Sequence, residues 1–405
     1  MASADAVAPW PPVTTEPVDW TAPRALKGHI DPVTRARLEA RPYRAAIAPP
    51  IGALDPIGSL PRSTLARVAD ATRVMALFER DMTALPVPLP AVLLRTESAS
   101  SSQIEKLTAN SRSIATAALG LHPGGNADAI AANASAVSAA ISHGGPVTGA
   151  GILAIHRSLL ESAEPDIAGV WRTGQVWIGR PDLSPHGADF VPPVASRVAD
   201  AIADLVTFAN RADVEGFVRA TIAHAQFETI HPFDDGNGRA GRALVHVVLR
   251  NAGYVEQSTV PVSAGLLADV DGYFAALTAY RAGDIAPIVE QFAAATQHAV
   301  VNGRILAAEV GDMRERWRSG LDVRRDSGAW RLLDVVIAQP VVNAAYVKRV
   351  LGSSDQGAVN AIAALEHAGV LTRTSRDRRN RLWQAPEVLD TMDDFARRAG
   401  RRTPG

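Results

Sequence analysis

One twelve-residue stretch, His231-Pro-Phe-Asp-Asp-Gly-Asn-Gly-Arg-Ala-Gly-Arg242, gathers residue types that together could handle a polyphosphate. Gly236-Asn237-Gly238 puts permissive backbone where a helix begins, so several N–H groups can converge on one anion. Arg239 and Arg242 are three apart and share one face of that first turn, which offers two guanidinium forks. Asp235 supplies a hard oxygen of the kind Mg²⁺ takes when it bridges phosphates. His231 has the intrinsic pKa to accept a proton from a hydroxyl. Taken singly, each feature has an ordinary reading: a Gly-Asn-Gly turn caps helices, and a histidine before proline is more often structural. The conjunction argues for an anion, because two arginines at the buried end of a helix need a partner.

The elements that must hold this loop are helical. Val214, Phe217, Val218, Thr221, Ile222 and Ala225 predict an amphipathic helix before it, and Leu244, Val245, Val248 and Leu249 an apolar helix after it. Helical patterning extends over about 196–315 and also appears from Ser63, from about Ser98 through Ala118, and over 127–141. Prolines 86, 88 and 90 break the first two apart. Residues 1–62 are proline-rich and predict an irregular segment wrapped on the rest through Trp10 and Trp20. Between Trp171 and Pro193, Val176 and Ile178 flank Trp177, and Phe190-Val191 follows a loop holding Gly179, Pro181, Pro185 and Gly187. That is the pattern of a short, irregular β-hairpin. Towards the C-terminus, helical patterns at about 330–338, 343–351 and 355–368 precede strand-like Val370–Arg373 and Leu382–Gln384, the order of a winged helix.

The twelve residues resemble the signature of the Fic family, His-Pro-Phe-x-[Asp/Glu]-Gly-Asn-Gly-Arg-x-x-Arg, and match every specified position. The resemblance implies a mainly α fold: a Fic helical core with a short β-hairpin flap, joined here to a C-terminal winged helix-turn-helix domain. It also implies AMP transfer from ATP to a Ser, Thr or Tyr hydroxyl of a target protein. In that scheme His231 is the general base and Asp235 holds Mg²⁺. Gly236, Asn237 and Gly238 cradle phosphates, and Arg239 and Arg242 neutralise their far end. Val176, Trp177, Ile178 and Gly179 resemble the family's flap, against which a target segment pairs as an added strand. Pro261–Ser263 and Tyr273–Leu277 resemble segments that approach the adenine. Ser98–Lys106 is similar to the family's inhibitory helix, [Ser/Thr]-x-x-x-Glu-[Gly/Asn], with Ser101 and Glu105 in the key positions and Glu105 opposing Arg242. Lys106 departs from that pattern.

The implied segments are 1–120 (N-terminal helical region with the inhibitory motif), 121–300 (Fic core), 301–328 (linker helix), 329–390 (winged helix) and 391–405 (basic tail). Other functions stay open. A Fic core that only senses nucleotide could serve a DNA-binding regulator, with Arg373, Arg376, Arg378, Arg379 and Arg381 tracking phosphates. Only Gln356 and Asn360 on the recognition helix suit base readout, so DNA is the weaker partner. Another donor, such as UMP or phosphocholine, and removal of AMP are also open, as is a homodimer. Gly149-Ala-Gly-Ile-Leu-Ala154 lacks a preceding strand and predicts a helix start rather than a dinucleotide fingerprint. His224 predicts a residue supporting the site rather than a metal ligand. The net charge of −1 gives no global pull on nucleic acid, and the lack of cysteine excludes disulfides. With neither a signal peptide nor an apolar run of membrane-spanning length, the expected setting is the cytoplasm.

Overall fold

A computed structural model describes residues 9–22, 29–180, 183–374 and 381–400. The chain opens with β1 (Thr14–Val18), α1 (Pro32–Glu39), β2 (Tyr43–Ile47), α2 (Arg62–Ala84), α3 (Leu89–Ile104), α4 (Ser111–Ala117), α5 (Ala127–His143) and α6 (Gly149–Leu160). It continues through α7 (Val198–Ala209), α8 (Gly216–Ile230), α9 (Asn237–Asn251), α10 (Val262–Leu266), α11 (Val270–Arg281) and α12 (Ala286–Gly320). It closes with α13 (Gly328–Ala338), β3 (Val341–Val342), α14 (Ala344–Leu351), α15 (Asp355–His367), β4 (Thr372–Arg373), β5 (Trp383–Gln384) and α16 (Pro386–Arg398). The fold is mainly helical, as the sequence predicts.

Two compact units interleave along the chain. One comprises Met1–Val68, Gly144–Ala252 and Asp271–Gln291, the other Ala69–His143, Gly253–Val270 and Phe292–Gly405. In the first unit, β1 and β2 pair antiparallel, with Thr14 opposite Ile47 and Val18 opposite Tyr43. The described part of residues 1–62 is therefore more regular than its prolines suggest. Pro17 is tolerated because β1 is an edge strand. Trp20, Tyr43 and Val191 form a small core on this sheet, with Trp177 packed against it. Every residue of α8 is buried, so it is a central helix rather than the amphipathic one expected. Gly241 of α9 lets the two helices approach: a Cβ there would lie 3.0 Å from atoms of His224, Phe227 and Glu228. Thr148 caps α6 by accepting from the Gly151 N–H, which makes Gly149-Ala-Gly a helix start as expected.

In the second unit α3 begins at Leu89, inside the proline cluster, because Pro90 in a first helical turn loses no hydrogen bond. It ends at Ile104, and α4 starts afresh at Ser111 behind an Asn110 cap, so the helix expected from Ser98 through Ala118 is two. Glu97 of α3 is buried and accepts from the Ser263 N–H (2.9 Å) and hydroxyl (2.5 Å), tying α10 to α3. A Cβ on Gly265 would fall 1.9 Å from the Ala295 carbonyl oxygen, so α10 crosses the backbone of α12 directly. The C-terminal elements follow the expected order, and β3, β5 and β4 form an antiparallel sheet in that spatial order. Residues 391–398, expected as tail, belong to α16, which buries Met392, Phe395 and Ala396. Arg376, Arg378 and Arg379 lie outside the described residues, as does Pro181. Among the described residues no helix is long and apolar enough to cross a membrane.

Candidate active site

The signature loop joins α8 to α9 within the first unit. His231 ends α8 as its cap in the left-handed region (φ 50°, ψ 62°), with its N–H donating to the Phe227 carbonyl at 2.8 Å. Gly236 is left-handed at the other end of the loop (φ 73°) and opens α9. The first N–H groups of α9 have no intrahelical acceptor, which makes that turn a local electropositive end. Arg239 and Arg242 project from it and are both buried. Arg239 donates to the Asp235 carboxylate at 2.9 Å.

Three residues fix the loop from within. Asn237 braces Phe233 reciprocally: its amide donates to the Phe233 carbonyl and its carbonyl oxygen accepts from the Phe233 N–H, each at 2.9 Å. The Asn237 side chain is thus committed to the loop, and its contribution to a phosphate cradle would come from the backbone. His156 stacks on the Phe233 ring at 3.6 Å with the planes 2° apart. Its Nδ1 accepts from the Gly169 N–H, so the ring proton resides on Nε2, which donates to the Asp235 carbonyl, both at 2.9 Å. Arg172 is buried and donates to the carbonyls of His231 (2.8 Å), Gly174 (2.9 Å), Ile230 (3.4 Å) and Pro193. Burial lowers its pKa only to about 10, so it stays cationic at neutral pH.

The His231 side chain is one-fifth exposed, and its Nδ1 lies 3.9 Å from the Glu228 carboxylate. Burial lowers the His231 pKa to about 3, helped by the charges of Arg281 and Arg172 and opposed by the Glu228 backbone. The imidazole is therefore neutral at physiological pH, the form that can take a proton. His224 is buried, bonded through Nε2 to the Tyr273 hydroxyl at 2.8 Å, and held neutral chiefly by burial and then by Arg242. That is the supporting place expected of it. Asp235 is half-exposed. Among the described residues no group of three or more His, Cys, Asp or Glu gathers for a metal. A single accessible carboxylate beside the N-terminal turn of α9 would suit Mg²⁺, which draws most of its ligands from phosphate and water.

The flap is looser. Ile178 and Phe190 make one antiparallel bridge, with the Ile178 N–H donating to the Phe190 carbonyl at 2.8 Å, and among the described residues the segment has no further strand pairing. Its far side is tied to the β-sheet by the Ala46 N–H, which donates to Val191 at 2.9 Å. Val176 and Trp177 are half-buried and Gly179 is exposed. A Cβ on Gly179 (φ 88°) would fall 2.1 Å from Asp189, so glycine is required there.

The Fic/DOC family profile matches residues 146–249. This stretch is a Fic/DOC family domain. The chain is 32% identical over 145 residues to "Protein adenylyltransferase fic-1" of Caenorhabditis briggsae, covering 35% of this chain and 26% of the relative. It is 34% identical over 89 residues to "Probable protein adenylyltransferase aq_aa38" of Aquifex aeolicus (strain VF5), covering 20% of this chain and 28% of the relative. The chain thus spans about a quarter of the length of these curated relatives. A Fic family protein from Desulfovibrio desulfuricans G20 shares the fold, with a TM-score of 0.52 at 22% identity over 80% of this chain and 96% of that one.

Within the Fic/DOC domain the structure brings His231, Asp235, Gly236, Asn237, Gly238, Arg239 and Arg242 onto one loop and helix turn. Ser101 and Glu105 belong to the other unit. Ser101 is buried in α3, while Glu105 is the half-buried cap at its end. Lys106 follows in the left-handed region (φ 63°), the conformation glycine or asparagine adopts most readily. Arg172 and His156 were not legible as site residues, being 59 and 79 positions from the atoms they hold. An arginine and a histidine inside apolar stretches were the available signal.

Proposed function

We propose that this protein transfers AMP from ATP to a hydroxyl of a target protein. The observation that carries the reading is a neutral, partly exposed imidazole at the end of α8, one short loop from a helix N-terminus that buries two arginines. His231 accepts the hydroxyl proton as the hydroxyl oxygen attacks the α-phosphate, and pyrophosphate departs. Backbone N–H groups from Gly236 to Gly238, with Arg239 and Arg242, hold the triphosphate and take up the charge that moves onto the leaving group. Asp235 would hold Mg²⁺, which supplies charge neutralisation when bound. Arg172, His156 and Asn237 fix where the base and the anion turn sit, which is where most of the rate gain in such a transfer arises. Val176 to Gly179 present the edge along which the target segment lies.

Ser101 and Glu105 form the brake in this reading, with Glu105 opposing Arg242 and so displacing the γ-phosphate. The C-terminal elements from α13 to β5 are read as a winged helix on their order and antiparallel sheet. Gln356 donates to Asn360 at 2.8 Å, so the two side chains suited to base readout engage each other, which favours a protein partner over DNA. The test supplies ATP labelled on the α-phosphate, with Mg²⁺, to lysate from the source cell. Label on protein should rise in Glu105→Gly over wild type and vanish in Glu105→Gly/His231→Ala. Label that persists in the double variant would remove His231 as the base. Equal label in wild type and Glu105→Gly would remove the brake.

A further inference from the structure

A cavity of about 510 Å³ beside β2 and a smaller arginine-rich groove beside the flap differ in one respect: the first is edged by Glu16, Asp200 and Asp204, while among the described residues no carboxylate lines the second. The second groove measures about 500 Å³ and runs between the C-terminal end of α1 and the loop Pro185–Ala188 that leads into the flap. Arg37, Arg41 and Arg44 border it, and all three are exposed. Among the described residues Arg37 and Arg41 make no ion pair, and Arg44 is occupied only by Thr15, through its hydroxyl (2.7 Å) and carbonyl (2.8 Å). The nearest acid in the sequence, Glu39, turns its carboxylate to the Ala22 N–H instead.

The groove is built. His186 packs edgewise against Trp20 (5.8 Å) and Tyr43 (6.1 Å). Its Nε2 donates to the Arg41 carbonyl at 2.7 Å, which fixes the end of α1 to the flap loop. Val191, at the groove's inner end, is one residue from the Ile178–Phe190 bridge and accepts from Ala46. Three exposed cations, of which Arg44 is held by Thr15, thus border the segment on which a target is read to lie. Uncompensated like charges held together are unfavourable in isolation and gain most from an anionic partner.

We propose that this groove receives an acidic segment of the target protein, flanking the residue that lies against the flap. The inference rests on the target-docking reading of the flap, and it sets the class of substrate: a hydroxyl followed or preceded by a run of Asp or Glu. Exposed arginines act mainly on encounter and register, so the interaction weakens with salt.

The test reads binding rather than transfer, so that failure of the AMP-transfer reading and failure of the groove are separable. A fluorescein-labelled peptide of alternating Glu and Gly around one Tyr, and its Gln analogue, are titrated with the full-length protein at low ionic strength and followed by anisotropy. The Glu peptide should bind. Its affinity should fall roughly tenfold in Arg37→Ser/Arg41→Ser, stay at the wild-type value in Arg324→Ser/Arg325→Ser, and be retained in Arg37→Lys/Arg41→Lys. The Lys pair keeps the charge and guards against a folding defect. Equal binding of the Gln analogue, an unchanged affinity in Arg37→Ser/Arg41→Ser, or an equal loss in both serine pairs would overturn the proposal. A 20-mer oligonucleotide that binds more tightly than the Glu peptide with the same dependence on Arg37 and Arg41 would overturn it in favour of nucleic acid.

Discussion

The signature loop and the flap lie in the same unit and are secured in opposite ways. Between Ile230 and Asn237, side chains occupy the backbone groups: from distant parts of the chain Arg172 takes those of Ile230 and His231 and His156 that of Asp235, while Asn237 within the loop takes both polar groups of Phe233. The flap has a single β-bridge, and its other ties are scattered: Gln175 donates to the Pro192 carbonyl and accepts from the Tyr43 hydroxyl of β2, and Ala46 donates to Val191. A loop held this way pre-organises charge without reorganising during the reaction. A strand held at one bridge keeps an edge whose backbone another chain can use. In the proposed reading, a rigid catalytic loop and an adaptable docking strand are thus separated within about sixty residues of sequence, with Arg172 bonded to both.

Removing that shared residue should have the largest effect. Arg172→Met leaves buried carbonyls at His231, Ile230 and Pro193 without their donor and should cost about 3 kcal/mol or more in denaturant titration. A wild-type midpoint would mean that the two regions are secured independently. Asn237→Ala acts on the loop alone. Loss of two buried hydrogen bonds should destabilise by about 2 kcal/mol and speed hydrogen exchange at the Phe233 amide, while amides of the flap keep their wild-type rates.

Acidity sharpens the contrast further. His156, His224 and His231 all have pKa values lowered in the folded protein, chiefly by burial. Below their unfolded value of about 6.5 the unfolded state binds more protons, so their contribution to stability is complete above that pH and is lost as pH falls towards 3. Midpoints of unfolding should drop between pH 7 and pH 4, and less steeply in His224→Gln. Because His231 is already neutral, kcat/KM should stay level through pH 6.5, where an ordinary histidine base would lose activity. The smallest effect belongs to the flap: Val176→Ser should move stability by no more than about 0.5 kcal/mol while lowering labelling of protein targets. A large loss of stability there would place the flap with the loop rather than against it.

The shape of the signature loop was legible because it is local. Spacing alone puts Arg239 and Arg242 on one turn and Gly236 at the start of it. The short helices near the C-terminus were legible for the same reason, since each has its own periodicity and cap. What binds the loop was not, because Arg172 and His156 reach it, with His156 itself set by the Gly169 N–H, through tertiary contacts that leave no local pattern. The β1–β2 pair was hidden by Pro17 and by a register fixed only when residues 14–18 meet 43–47. The amphipathic reading of α8 failed because a helix surrounded on all sides can bury Arg219 and Glu228 if their polar ends find partners. The break after Ile104 was missed because nothing in the residue types requires Lys106 to turn left-handed.

His231 terminates α8 as well as being the proposed base, in a conformation where most residues other than glycine and asparagine sit with strain. One position therefore answers to two selections that disagree. His231→Asn should give a chain that folds at least as well and catalyses nothing. A screen for thermostability alone would be drawn towards such a change, so any route to a hardier protein that keeps the proposed activity has to pass around this residue.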